Sequence, residues 1–199
     1  PKEITMTMLI LGLVLYLGVH SVRIVADGWR TRMLAQLGEK TWKLSYTVVS
    51  LFGFVLLVWG YGQARQAPVV LWPVPAWGAK ATGALMLASL TLLFGAYVPG
   101  SKIKAAVHHP MLWSVLVFAL AHLFANNTLA DLLLFGGFGL WAALDLWSCY
   151  ARDRAAAVAY PQGKPGMMAI NVVAGVAVWV LFAFWLHVVL IGVSPIPHR

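Results

Sequence analysis

Residues 168–193, MAINVVAGVAVWVLFAFWLHVVLIGV, run for 26 positions without one Asp, Glu, Lys or Arg. A segment so apolar has no face to offer water, and about 20 such residues span a bilayer as a helix. Five further stretches read the same way: roughly 4–25, 42–61, 78–98, 110–124 and 129–150. The first is too long for a signal peptide and has no small-residue cleavage pattern behind it. The fourth and fifth are separated only by Asn126-Asn127-Thr128, which makes them antiparallel neighbours. Thr128 is placed to cap the fifth helix through its hydroxyl.

Composition points the same way. Hydrophobic residues make up 61% of 199, charged residues 10%, and mean hydropathy is +0.83. A soluble domain carries roughly 25% charged residues, and this chain has too few to coat an aqueous surface. No run of ~10-residue alternating segments supports a β-barrel. The expected fold is therefore all-α: a polytopic integral membrane bundle of about six transmembrane helices, forming one domain over residues 1–199. The single cysteine, Cys149, rules out an intramolecular disulfide.

Between the second and third spans, Pro68, Pro73 and Pro75 break any helix. With Trp72 and Trp77 alongside, this segment reads as an interfacial loop. Ten basic residues (Arg23, Arg30, Arg32, Lys40, Lys43, Lys102, Lys104, Arg152, Arg154, Lys164) fall on one side of such a bundle, and four (Lys2, Arg65, Lys80, Arg199) on the other. The positive-inside rule puts the ten in the cytoplasm and both termini outside. The net charge of +8 then reflects sorting and contact with anionic lipid. The basic residues are scattered over three loops, which argues against a nucleic-acid partner.

Ionisable side chains within spans are costly and mark function or pairing. His20 and Arg23 share a helix face. An imidazole there suits a haem iron and the arginine a haem propionate. Equally, Arg23 snorkels and His20 bonds a neighbouring helix. His122 lies in an apolar run and needs a partner, either a ligand or a second helix. His109 precedes Pro110 at a helix start and reads as interfacial or functional. His109 and His122 are about 19 Å apart along one helix, too far to share an iron. His187 reads as interfacial, and His198 is given no role. Asp145 is expected to pair with Arg152 or Arg154, and Asp131 to favour a helix N-terminus. Gly136, Gly137 and Gly139 give the fifth helix a flat face for packing. No P-loop, dinucleotide, zinc-protease or Cys-x-x-Cys motif occurs.

Leu17-Gly18-Val19-His20-Ser21, then His109-Pro110, Leu120-Ala121-His122 and Asn126-Asn127, with Leu71-Trp72, Trp141 and Arg152-Asp153-Arg154, resemble the NnrU family and its relative, the plant zeta-carotene isomerase. The resemblance spans roughly residues 10–155. It implies a protein of the bacterial inner membrane linked to nitric oxide and nitrite metabolism in denitrification. From the isomerase it implies haem b, held by two histidines, and cis–trans isomerisation of a poly-cis carotene. The matching ligands are His20 and His122, with Arg23 as a cofactor contact. His109 matches a further family histidine and is the expected catalytic proton donor; His20–His109 is the alternative ligand pair. The implied partners are lipid and either an apolar polyene or nitric oxide. The isomerase has a cysteine where Ala119 stands here, and a histidine in the segment matching 135–137 that this chain lacks. Both departures count against carotene isomerisation and leave haem binding intact. Along the spans, His20 and His122 are offset by about 12 Å.

Overall fold

The computed structural model describes residues 2–196, leaving His198 outside. Seven helices follow one another: α1 (Lys2–Val25), α2 (Asp27–Ala64), α3 (Gly78–Tyr97), a short α4 (Lys102–Val107), α5 (Pro110–Ala125), α6 (Leu129–Ala155) and α7 (Pro165–Ile191). Wider π-helical turns interrupt α6 at Leu132–Gly136 and α7 at Phe182–Leu186. Five of these helices, α1, α2, α3, α6 and α7, are long and apolar enough to cross a membrane. α5, counted above as the fourth span, has 16 residues, about 24 Å at the helical rise. It packs between α3 and α6.

Side-by-side packing runs α2–α1–α6–α5–α3–α7. A core of Leu9, Leu13, Leu57, Ala119, Leu134 and Phe135 lies where α1, α2, α5 and α6 converge. The α1–α2 seam is the tightest contact. A Cβ on Gly12 or Gly60 would run into the backbone of Leu57 or Leu9, and one on Gly53 would lie 2.7 Å from the Tyr16 nitrogen. Backbones this close maximise dispersion contacts, which drive helix association where no water is expelled.

One expectation needs correction. Residues 26–41, between the first two apolar stretches, read only as one of the loops carrying basic residues. Instead the chain is helical from Asp27, broken at Gly38 (φ 78°, ψ 159°). Glycine takes that backbone conformation without a Cβ clash. The charges lie along the exposed surface of this segment, where Asp27 pairs with Arg30 at 3.7 Å and Glu39 with Lys43 at 2.6 Å. Trp29 meets Trp42 across the break, ring centroids 5.7 Å apart.

The proline loop is pinned to the Asn126–Thr128 turn. The Leu71 N–H donates to the Asn127 carbonyl, Leu129 N–H to Val69, and the Asn127 side-chain amide to Trp72, at 2.8, 2.8 and 2.6 Å. Thr128 caps α6 as expected, in a reciprocal capping box with Asp131. Asp131 does more than favour the helix dipole. It is 5% exposed and also accepts the Tyr61 hydroxyl at 2.6 Å, joining α2 to α6.

Candidate functional site

Three histidine stations lie along the bundle. At the first, His20 on α1 points its ring toward α2 and α6. Its centroid is 4.4 Å from Tyr16, 5.2 Å from Tyr46 and 6.0 Å from Trp141, the last edge-on at 88°. His20 Nδ1 lies 2.6 Å from the Tyr16 carbonyl oxygen. A carbonyl only accepts, so Nδ1 is the donor, and Nε2 has no partner among the described residues. One buried polar atom in this neighbourhood, the Trp141 indole nitrogen, closes no hydrogen bond, while the Ser50 hydroxyl, one turn along α2, lies within reach of the Tyr46 side chain. Arg23 is 58% exposed and faces Asp27 at 3.9 Å.

The second station is His122 on α5. Its ring stacks on Phe135 at 4.6 Å and 26°, and tilts against Phe118 at 4.2 Å. Here too Nδ1 is anchored on the carbonyl one turn back, that of Phe118, at 2.9 Å. Nε2 again has no partner among the described residues. The π-helical turn of α6 sets Phe135 inward at this level. His20 meets α6 at Trp141 and His122 meets it at Phe135, a difference of six residues. The two levels are therefore about 9 Å apart along the bundle, close to the offset read from sequence. The glycine face between them is filled: Gly137 abuts Leu13 and Leu17, and Gly139 abuts Ala119.

The third station lies at the basic end. His109 Nε2 donates to Asp153 Oδ2 at 2.6 Å, and the Tyr160 hydroxyl donates to the same oxygen. His108 stacks on Tyr160 at 3.9 Å, nearly parallel at 3°. The backbone bends sharply to allow this. His108 has φ 57° and ψ −48°, and the His109 N–H bonds the Val107 carbonyl across it. That is a γ-turn of the strained hand, rare outside sites that demand it. Trp113 donates to the Tyr150 hydroxyl at 2.9 Å, which donates to Val107 at 2.7 Å. Clefts of about 210 and 270 Å³ flank His108, one lined by Lys104 and His109, the other by Asp153, Arg154 and Tyr160. Elsewhere, Asp145 pairs with Arg152 at 3.8 Å, as expected, and His187 bonds the Val193 carbonyl at the exposed end of α7.

Tyr160 lies in the loop beyond α6. Burial, then the hydrogen bond to the Asp153 carboxylate, pushes its hydroxyl up to about 12 from 10.0. A raised native value means that the folded state holds its proton more tightly than the unfolded one. The stability this gives is complete below pH 10 and is lost as pH climbs through about 12. Melting curves should therefore show the wild type losing an increment over that window that Tyr160→Phe does not. Parallel alkaline curves for the two proteins would refute the clasp.

Sequence reasoning placed the histidines but missed Tyr46, Trp141, Asp153 and Tyr160 as their partners. In the sequence, Asp153 and Trp141 enter only as parts of the family pattern, with no partner or role assigned to either.

The sequence profile of the NnrU protein family matches residues 8–195. The chain belongs to the NnrU family. No curated protein and no solved structure matches it. In this NnrU-family protein all three histidine stations fall inside the matched region. Among the described residues, no three His, Cys, Asp or Glu side chains are grouped to hold a metal ion. What the bundle offers is imidazoles with a free Nε2. That donor chemistry fits haem iron, whose axial ligands are often histidines oriented through their other nitrogen. His20 and His122 fit it in donor chemistry, while Leu13, Leu17 and Ala119 occupy the face between their levels. His109 does not offer the same nitrogen, because its Nε2 is engaged by Asp153.

Proposed function

We propose that this protein binds haem b through His20 and His122 and serves nitric oxide or nitrite metabolism in the bacterial inner membrane, with its basic end cytoplasmic. The observation that carries the reading is the shared anchoring of the two rings, each fixed by Nδ1 on its own i−4 carbonyl. This holds the ring orientation and presents the lone pair of Nε2. An imidazole nitrogen left unpartnered within a membrane span is costly, and coordination removes that cost. Bound haem would supply reversible one-electron chemistry and a binding position for a small gas.

The chain's own residues do the rest. Tyr16, Tyr46 and Trp141 wall one imidazole, and Phe118 and Phe135 the other, and both rings are half-buried. His109, paired to Asp153 at the water-exposed end, can hold or release a proton there. Arg23 lies at the same end as a counter-charge for an anionic cofactor edge. Ala119 is wholly buried against Gly139, so the position of the isomerase cysteine is here a packing position.

Purified protein, made with haem supplied, should change its visible spectrum on addition of nitric oxide to the reduced form. The same sample should leave a poly-cis carotene unchanged. Conversion of the carotene with no response to nitric oxide would overturn the gas-handling reading in favour of an isomerase.

A further inference from the structure

At the basic end, one of the two clefts beside His108 offers donors for an anion and has no carboxylate in its lining. It lies between the end of α3, α4 and the start of α5, holds about 210 Å³, and has Lys104, His108 and His109 as its polar wall. Among the described residues, the Lys104 ammonium meets no carboxylate and the His108 ring nitrogens make no hydrogen bond. His109 Nε2 is engaged by Asp153. Asp153 lines only the other cleft, together with Arg154, and its Oδ2 already accepts from His109 and Tyr160. The His108 ring is fixed in place, stacked on Tyr160 at 3.9 Å and carried by a backbone at φ 57°. An ammonium has three donors, and an imidazole nitrogen can donate as well. The free groups of this wall therefore suit the oxygens of a phosphate.

Independently of the haem reading, we propose that this cleft seats the headgroup of an anionic phospholipid, with its phosphate on Lys104 and His108. The rest of the lining favours a lipid over a free phosphate, because it is apolar: Ala96 closes one side, and Pro110 and Met111 the other. Met111 is 42% exposed, so the apolar lining continues onto the outer surface of the bundle. A glycerol backbone and the first acyl carbons would cover that surface, which a free phosphate would leave bare. The level is also right. α3 is long and apolar enough to cross a bilayer, and the cleft lies at its end, where headgroups sit. Basic pockets between spans at that level attract anionic lipid heads.

The test counts retained lipid by native mass spectrometry on the purified, detergent-solubilised full chain, titrated with phosphatidylglycerol or with neutral phosphatidylcholine. At about 0.15 M salt, charges more than ~8 Å away are largely screened. The wild type should retain phosphatidylglycerol in preference to phosphatidylcholine. Lys104→Gln should bind phosphatidylglycerol about tenfold more weakly, the size of one charge-assisted hydrogen bond, and Lys104→Arg should keep the wild-type preference. Arg154→Gln makes the same change of charge in the other cleft and should bind as the wild type does. His108→Gly removes the ring and relaxes the turn. It should lose the same preference, so the seat is tested even if Lys104→Gln fails to fold. Equal losses in Lys104→Gln and Arg154→Gln would mean diffuse attraction and would overturn the proposal. So would a wild type indifferent to lipid charge. Displacement of phosphatidylglycerol by millimolar inorganic phosphate would make this a site for a free oxyanion and overturn the lipid assignment.

Discussion

Replacing either His20 or His122 with alanine should strip the purified protein of most of its haem, or leave what remains high-spin. Loss of an outer hydrogen-bond partner typically costs a metal site about 10–100-fold in affinity. Loss of the ligand itself should exceed that upper figure. The reason lies in how each ring is held. With Nδ1 committed to the carbonyl of Tyr16 or Phe118, Nε2 has no other partner among the described residues. Free imidazole added to either variant should refill the gap and restore part of the low-spin spectrum, a rescue that a merely misfolded variant would not show. His109→Ala should keep its haem, since that Nε2 faces Asp153, and His187→Ala should change little. Haem lost from His109→Ala but kept by His122→Ala would move the second ligand to the basic end. Haem kept by all four variants would place the iron elsewhere.

The second large effect concerns the seam that sets the His20 station. Gly12→Leu should separate α1 from α2, because even the first added carbon meets the Leu57 backbone. Overpacking a core costs about 1–3 kcal/mol where side chains can yield. Here the obstacle is backbone, so the loss should reach or exceed the top of that range. The damage should also reach the site, since α1 carries His20 while α2 carries Tyr46 and Ser50. Haem affinity should therefore fall with stability. Gly62→Leu, on the same α2 but with nothing within 4 Å of its Cβ, is the matched control and should stay close to wild type. Equal behaviour of the two variants in detergent unfolding would refute the close seam.

The helices were legible because hydropathy in a membrane chain is set by lipid, a uniform solvent that every span must satisfy alone. The break at Gly38 was less so. Residues 26–41 fall between two apolar stretches and read as a loop, but a helix running along an exposed surface tolerates the charges there. Within the site, His20 and His122 stood out as imidazoles in apolar runs, and the 13-residue spacing from His109 correctly separated two ends of α5. Their surroundings could not be read. Tyr46 and Trp141 reach His20 only because α1 lies between α2 and α6, and Asp153 reaches His109 across 44 residues of sequence. Such contacts follow from the order of helices in the bundle, which hydrophobic runs do not encode.

The most direct measurement of the central claim is a haem titration of the purified, detergent-solubilised protein, followed in the Soret region before and after dithionite. The account predicts a saturable, stoichiometric uptake with a low-spin spectrum in at least one redox state. Stable, monodisperse protein that stays colourless with haem in excess would contradict it.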